Sequence, residues 1–390
     1  MANTLTNLIP DAYAALDVVS RELVGFIPSI TRDPSVDRVA LNQSVRAFKT
    51  PANAGGRDIT PAMAFPAASD QTIGNTAITI SKVRAFPFSW TAEENYSVDQ
   101  GPGSLTVAQD QIAQAIRSAV NEVETDLANA AYLGASRAYG TAGTTAFATN
   151  LGESAQLKKI LDDNGAPGSN RSLVIDTTTG AALRTLLNNP LNANTSLNGD
   201  MTRQGMILDV NGFKFRESAQ VPTVTAGAMA SATSSNAAFT VGQTVIPLAT
   251  AGTGVVAAGD IITFANDANK YVVASVSFAG ANPASGDTIT LAAPGLRKAQ
   301  SAATRAITVV ATASRSIGLS QNALVLASRL PMVDESTPDL ALMRETITDP
   351  VSGLSFELAA YPGYRMTVYE VAIAWGVKVI KPEHISVLLG

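Results

Sequence analysis

At 390 residues the chain is long enough for two or three compact units, and its 46% hydrophobic and 15% charged content allows large cores with less charge than the roughly 25% of an average soluble protein. Such scarcity of charge implies surface hidden against other chains, although alanine abundance lowers the figure in the same way. The net charge of −5, from 27 basic and 32 acidic residues, has the wrong sign for gripping phosphates, and the absence of cysteine removes disulfides, thiolate metal sites and a thiol nucleophile. Met1-Ala2-Asn3-Thr4-Leu5 lacks the basic start and apolar core of a secretion signal, and no apolar run reaches the roughly 18 residues of a membrane span. The expectation is a soluble, unexported protein with no membrane partner.

From Asp11 to Phe26, Tyr13, Leu16, Val19, Leu23 and Phe26 recur at three and four behind Pro10, which predicts a short amphipathic helix ending at Pro28. Asp11, Asp17 and Glu22 lie off its apolar stripe. Between Val36 and Trp90 the period changes to two: Val39, Leu41 and Val45 alternate, Pro51 to Gly56 breaks the order, and Ile78, Ile80, Phe86, Phe88 and Trp90 alternate again. A two-stranded excursion of that length has little room for its own core and would lie on a neighbouring surface. The clearest helix is predicted over 105–137, with Ile112, Ile116, Val120, Val123, Leu127 and Ala130 on one stripe, Ser104 at the N-cap, and Asp110, Arg117, Glu122, Glu124 and Asp126 on the other face. It would span roughly 45 to 50 Å.

Helices are then predicted over 154–164, closed by Gly165, and over 178–188, with a buried strand at 172–176 between them and strands near 206–208 and 213–215. At Val224 the composition shifts to Ala, Ser, Thr and Gly. Strand candidates at 239–241, 244–248, 260–264, 271–276 and 288–291 follow at close spacing, which suggests a small antiparallel barrel or sandwich over 224–318 inserted into an α/β host. A helix is predicted at 322–328. In the last stretch Val371, Ile373, Trp375, Val377 and Val379 share one face of a strand pattern, and Pro382 forces a turn before a short terminal strand.

The closing strand followed by Lys381-Pro382-Glu383-His384-Ile385 and a terminal strand resembles the end of the major capsid proteins of tailed double-stranded DNA bacteriophages. In order, the amphipathic arm, two-stranded loop, long helix, mixed α/β region and final strands are similar to the Hong-Kong-ninety-seven capsid fold. Phe215-Arg216-Glu217-Ser218 with Val221-Pro222, and Gly259-Asp260-Ile261-Ile262-Thr263-Phe264, resemble the P-twenty-two-like branch with its inserted domain. The resemblance implies an α+β fold with an N-terminal arm at 1–35, an extended β-hairpin loop at 36–95, a peripheral domain with the spine helix at 96–168 and 345–390, an axial domain at 169–223 and 319–344, and an inserted β-barrel at 224–318. Two departures are Asn322 leading into Val325-Leu326, where relatives show Phe-His, and His384 where alanine is usual.

The resemblance further implies a subunit of the icosahedral shell around packaged phage DNA, assembled in the host cytoplasm from pentamers and hexamers of itself. A scaffolding protein and a portal are the implied partners, DNA is enclosed without sequence-specific binding, and no cofactor is called for. Scaffold would bind near the arm, making Asp11, Asp17 and Glu22 the candidates. Lys49 in the extended loop, and Arg297, Lys298, Asp260, Asp267 and Asp287 in the insert, are candidates for contacts between subunits.

Enzyme chemistry finds little to use. His384 is the single histidine, and Gly-x-Ser-x-Gly, Ser-x-x-Lys, Walker A and Gly-x-Gly-x-x-Gly sequences are absent. Asp162-Asp163-Asn164-Gly165 and Asn266-Asp267-Ala268-Asn269 lack calcium-loop spacing and read as a helix stop and a turn. The rival readings are a cargo-holding nanocompartment shell, against which the insert counts, and an extracellular β-modular adhesive protein, against which the long helix and the missing signal count; a hydrolase stands third.

Overall fold

The computed structural model describes residues 22–49, 61, 74–99, 104–187, 209–333, 340–349 and 352–390. Most of the predicted arm helix lies outside them. Its described end, 22–26, is not helical and leads into a 3-10 turn at Ile27–Ser29. Gly25 shows why: a Cβ there would come within 2.8 Å of both the Glu217 carbonyl oxygen and the Val174 side chain, so this stretch is pressed into a slot instead of coiling.

Four strands follow, β1 (Thr31–Val39), β2 (Ser44–Lys49), β3 (Gly74–Thr79) and β4 (Lys82–Thr91). The single alternating pattern across 39–45 is broken at Asn42, whose φ of 66° turns the chain between β1 and β2. Helix α1 (Ala92–Asp99) starts on a capping box, with the Thr91 amide donating to Glu94 and the Glu94 amide to the Thr91 hydroxyl at 2.9 and 3.2 Å. Helix α2 (Ser104–Leu133), 30 residues and about 45 Å long, is the predicted long helix, ending four residues early where Arg137 begins a strand.

Next come β5 (Arg137–Gly140), α3 (Gly152–Asp163), β6 (Arg171–Ile175), α4 (Thr177–Leu187), β7 (Phe213–Glu217) and β8 (Thr223–Val224). Gly165, at φ 72°, stops α3 as its sequence predicts. Then come β9 (Val245–Pro247), β10 (Ile261–Phe264), β11 (Lys270–Ser277), β12 (Thr288–Leu291) and β13 (Ile307–Val309). The chain closes with β14 (Ala313–Ser320), β15 (Leu324–Pro331), β16 (Met343–Thr348), β17 (Ser355–Gly363), β18 (Met366–Val379) and β19 (Ile385–Leu389). The helix predicted at 322–328 is corrected to a 3-10 turn, Gln321–Ala323, and strand β15. Most of β15 is buried on both faces, between β1 and β18, so its apolar residues do not alternate with polar ones and give no period of two by which to tell strand from helix.

Two large sheets result. In the first, β4 runs along one side of β18 while β17 and β15 share the other; β16 flanks β17, and β1 lies parallel to β15. The α2 stripe of Ile116, Val120, Val123 and Leu127 packs with Val371, Ile373 and Trp375 in the main core, each large buried side chain contributing about 1.5 to 3 kcal/mol. The second sheet runs β13-β10-β11-β5-β19-β14-β6-β7. Within residues 233–309 the pairings form a ring: β13-β10-β11-β12-β9, then bridges Ser234↔Leu248 and Thr233↔Ala306 back to β13. This ring has its own core around Phe239, Ile246, Ile262, Phe264, Tyr271 and Leu296. It joins the rest of the second sheet through β11 on β5.

Candidate functional site

Three features bear on what the chain does. The first is the β2–β3 hairpin. Among the described residues its strands pair only with each other, while β1 and β4 on either side belong to the first sheet, so the excursion is confined to 44–79. Its base is tied down at Asn42, Ile80 and Ser81, whose amides donate to the carbonyls of Ile80, Gln43 and Trp375 at 3.0, 2.9 and 3.1 Å. Ile78 and Ile80 are buried with Val39, Ala327 and Ala374. Gly376 lies mid-strand in β18 because a Cβ there would overlap the Thr79 carbonyl, so the hairpin base crosses directly over the sheet backbone.

The second is the anchor of the N-terminal segment. Glu124, read from the sequence as part of the polar face of α2, is fully buried. Its carboxylate accepts hydrogen bonds from the amides of Gly25, Phe26 and Ile27 at 2.6, 2.6 and 3.0 Å and from the Ser218 hydroxyl at 2.9 Å. Burial pushes its pKa up, although those four donors pull the other way. Nearby Glu22 accepts from Arg117 Nε at 2.6 Å, from a second Arg117 nitrogen, and from Asn121 Nδ2 at 2.7 Å. The Arg117 bond holds its pKa down at about 2, against the weaker opposing effect of burial.

The third is a set of charges that fasten strands to one another and to α2. Lys82 on β4 reaches Glu122 and Asp126 at 3.0 and 2.9 Å; Arg84 meets Glu122 at 3.2 Å. Asp126 also accepts from Trp375 Nε1 at 2.9 Å, and the Lys82 ammonium lies 5.7 Å from the Trp375 ring centre. Buried Glu357 on β17 is flanked by Arg38 of β1, at 2.6 Å, and by Arg344 of β16, so one carboxylate bridges three strands.

The sequence candidates fall in several places. Asp11 and Asp17 lie outside the described residues, and Glu22 is bonded to α2 as above. Lys49 pairs through its backbone with Gly74, at the end of the hairpin ladder away from its base. Asp260, Asp267 and Asp287 are buried and bond to nearby turns. Asp260 accepts from the Ala257 and Gly227 amides at 2.7 and 3.2 Å, Asp267 from the Tyr271 hydroxyl and Asn269 side chain at 2.8 and 2.7 Å, and Asp287 from the Ala284 and Ala279 amides at 2.8 and 2.9 Å. Short carboxylates beside turn amides cap them locally, which the sequence reading overlooked. Arg297 is half-buried and donates its amide to Tyr271; Lys298 is exposed and reaches the Asn266 carbonyl at 2.6 Å. His384 is buried, its pKa lowered first by that burial and then by Lys381 and Arg171.

Among the described residues no three His, Asp or Glu side chains gather as a metal site, and no helix is long and apolar enough to cross a membrane. Glu124 was missed because a charged residue on an amphipathic helix reads as solvent-facing; one signal was its place at 124, one residue after Val123 and three before Leu127 of the apolar stripe.

No protein-family model and no curated protein matches the chain. Solved structures do. The chain is similar to a Mycobacterium phage Che8 structure, with 12% identity, 99% and 98% of the two chains covered and a TM-score of 0.49. It is similar to the mature capsid of bacteriophage PhiM1, with 12% identity, coverage of 99% and 92% and a TM-score of 0.48. For the capsid of cyanophage P-SCSP1u the identity is 12%, the coverage 98% and 93%, and the TM-score 0.51. Over nearly its whole length, the chain is therefore built on the fold of a phage capsid protein.

Proposed function

We propose that this protein is a major capsid protein of a tailed double-stranded DNA phage, a structural and non-enzymatic subunit that self-assembles into the icosahedral shell around the genome. The observation that carries the reading is the likeness to the P-SCSP1u capsid across 98% of the chain. On this reading the β2–β3 hairpin reaches over a neighbouring subunit, α2 is the spine of the shell floor, and the ring of insert strands is the inserted barrel of the P-twenty-two-like branch. Contacts of one subunit face with a different face of the next close into rings of five or six or run on as tubes, depending on small angles, so a scaffolding protein is the partner that selects closure. Asp11 and Asp17 are the candidates for scaffold contact, with Glu22 engaged on α2. Lys49, Arg297 and Lys298 are the candidates for contacts between subunits, whereas Asp260, Asp267 and Asp287 are committed to turns.

The mechanism is therefore one of fit. The dense internal bonding of α2 to the first sheet keeps the floor rigid, and the hairpin extends from it on a tightly held base. A mildly acidic chain suits a container that must let DNA enter without trapping it. Expression alone and with a candidate scaffold, followed by negative-stain electron microscopy, tests the reading: shells or open tubes support it, and a monodisperse monomer under both conditions overturns it.

A further inference from the structure

The two legs of the β2–β3 hairpin are held unequally. Once β1 has ended at Val39, the bonds of the first leg go to its own turn and to the second leg: Gln43 closes on Ala40 through its amide and its side chain at 3.2 and 3.0 Å, and Asn42 and Gln43 exchange backbone bonds with Ile80. The second leg, Ile80 to Lys82, is fixed to the body of the subunit. The Ser81 amide donates to the Trp375 carbonyl at 3.1 Å, Lys82 stands opposite Trp375 in the β4–β18 ladder, and the Thr79 carbonyl sits over Gly376. Direction is thus passed from the second leg to the first.

Lys82 adds a fix that the ladder lacks. Its ammonium reaches Glu122 and Asp126 at 3.0 and 2.9 Å, two carboxylates one turn of α2 apart, so it is held along the helix axis, between points about 6 Å apart, as well as toward it. Trp375 closes the circuit, because its Nε1 donates to Asp126 at 2.9 Å and its ring centre lies 5.7 Å from the same ammonium. Stability does not account for this arrangement. The Lys82 side chain is 38% exposed, and ion pairs at such sites contribute little. Without Lys82, Glu122 would keep Arg84 at 3.2 Å and Asp126 would keep Trp375, so neither carboxylate would be stranded.

We propose that Lys82 is a positioning residue for the hairpin: by spanning Glu122 and Asp126 it fixes the angle at which β2 and β3 leave the first sheet. On the shell reading, on which this consequence alone rests, the angle sets where the hairpin lands on a neighbouring subunit and hence the curvature of the shell.

The chain has no cysteine, so Ala77→Cys on β3 and Ser118→Cys on α2, both exposed, accept a pair of spin labels whose separation reports the angle. In the unassembled chain, electron–electron resonance should give one narrow distance distribution, displaced or about twofold broader with Lys82→Met and restored with Lys82→Arg, whose planar fork can meet both carboxylates. The melting temperature should move by no more than about 2 °C. The same distribution in wild type and Lys82→Met would overturn the proposal, as would a broad one already in the wild type. A Lys82→Met chain that does not fold would contradict the claim that the contact positions more than it stabilises. Co-expression with a candidate scaffold then separates the two readings. Uniform shells from the wild type and shells of scattered diameter from Lys82→Met support both, uniform shells from each would overturn the consequence for curvature, and no shells from the wild type would overturn the shell reading while the spin-label result stands.

Discussion

Replacing Glu124 by alanine leaves the amides of Gly25, Phe26 and Ile27 and the Ser218 hydroxyl facing an empty, buried space. Each stranded donor costs about 1 to 3 kcal/mol if it stays buried, so four would exceed what the segment can bear, and the arm lifts into water instead. That escape limits the loss to about 3 to 5 kcal/mol, the range for removing one partner of a buried charged cluster. For 390 residues the unfolding entropy is roughly 0.8 kcal/mol per degree, so the melting temperature should fall by about 4 to 6 °C. Glutamine keeps one acceptor oxygen but turns an NH2 toward other donors, and should cost about half as much. Calorimetry gives the shift, and hydrogen exchange at residues 25–27 gives its location. A shift under about 1 °C with those amides still protected would refute the claim that this carboxylate holds the segment on α2.

Gly376→Ala should drive a methyl into the Thr79 carbonyl at a cost of about 1 to 3 kcal/mol, seen as faster exchange of the Ile80 and Ser81 amides; unchanged rates there would mean that the hairpin base does not depend on this close approach. Glu357→Ala leaves Arg38 and Arg344 facing each other across β17 and should cost about 3 to 5 kcal/mol in thermal unfolding, much more than Arg38→Ala or Arg344→Ala combined with it. Because the His384 pKa is lower in the folded chain than its ordinary 6.5, the unfolded chain takes up the proton first. Stability is then full above pH 6.5 and declines as pH falls toward the folded value, and His384→Asn should flatten that limb of a plot of melting temperature against pH. Glu22 adds a separate limb, present above pH 4.5 and lost as pH falls toward about 2, which Glu22→Gln removes.

Periodicity made the two elements that define the main core readable. Val371, Ile373 and Trp375 at spacing two, and Ile116, Val120, Val123 and Leu127 at three and four, meet each other in the folded chain as one apolar contact. What the pattern could not convey was set by distant backbone. The alternation runs through Gly376 without showing why a glycine stands there; Thr79 crosses β18 at that point and leaves no room for a Cβ. The strand at 324–331 has no polar face to reveal its period. Charged residues were hardest: Glu124 and Asp260 look like solvated charges in sequence, and their burial depends on amide donors that only the tertiary fold assembles. The hairpin was legible as a two-stranded excursion, but its limits were not, because Phe86, Phe88 and Trp90 alternate as part of β4 in the first sheet.

The central claim, that this subunit builds a shell, is tested most directly by the size of what it forms. Sedimentation with negative-stain microscopy of the chain co-expressed with a candidate scaffold should give particles of uniform diameter, with irregular shells or tubes when the scaffold is left out. A single species at the mass of one 40.3 kDa chain in both cases would leave a capsid fold that does not assemble, and would contradict the account.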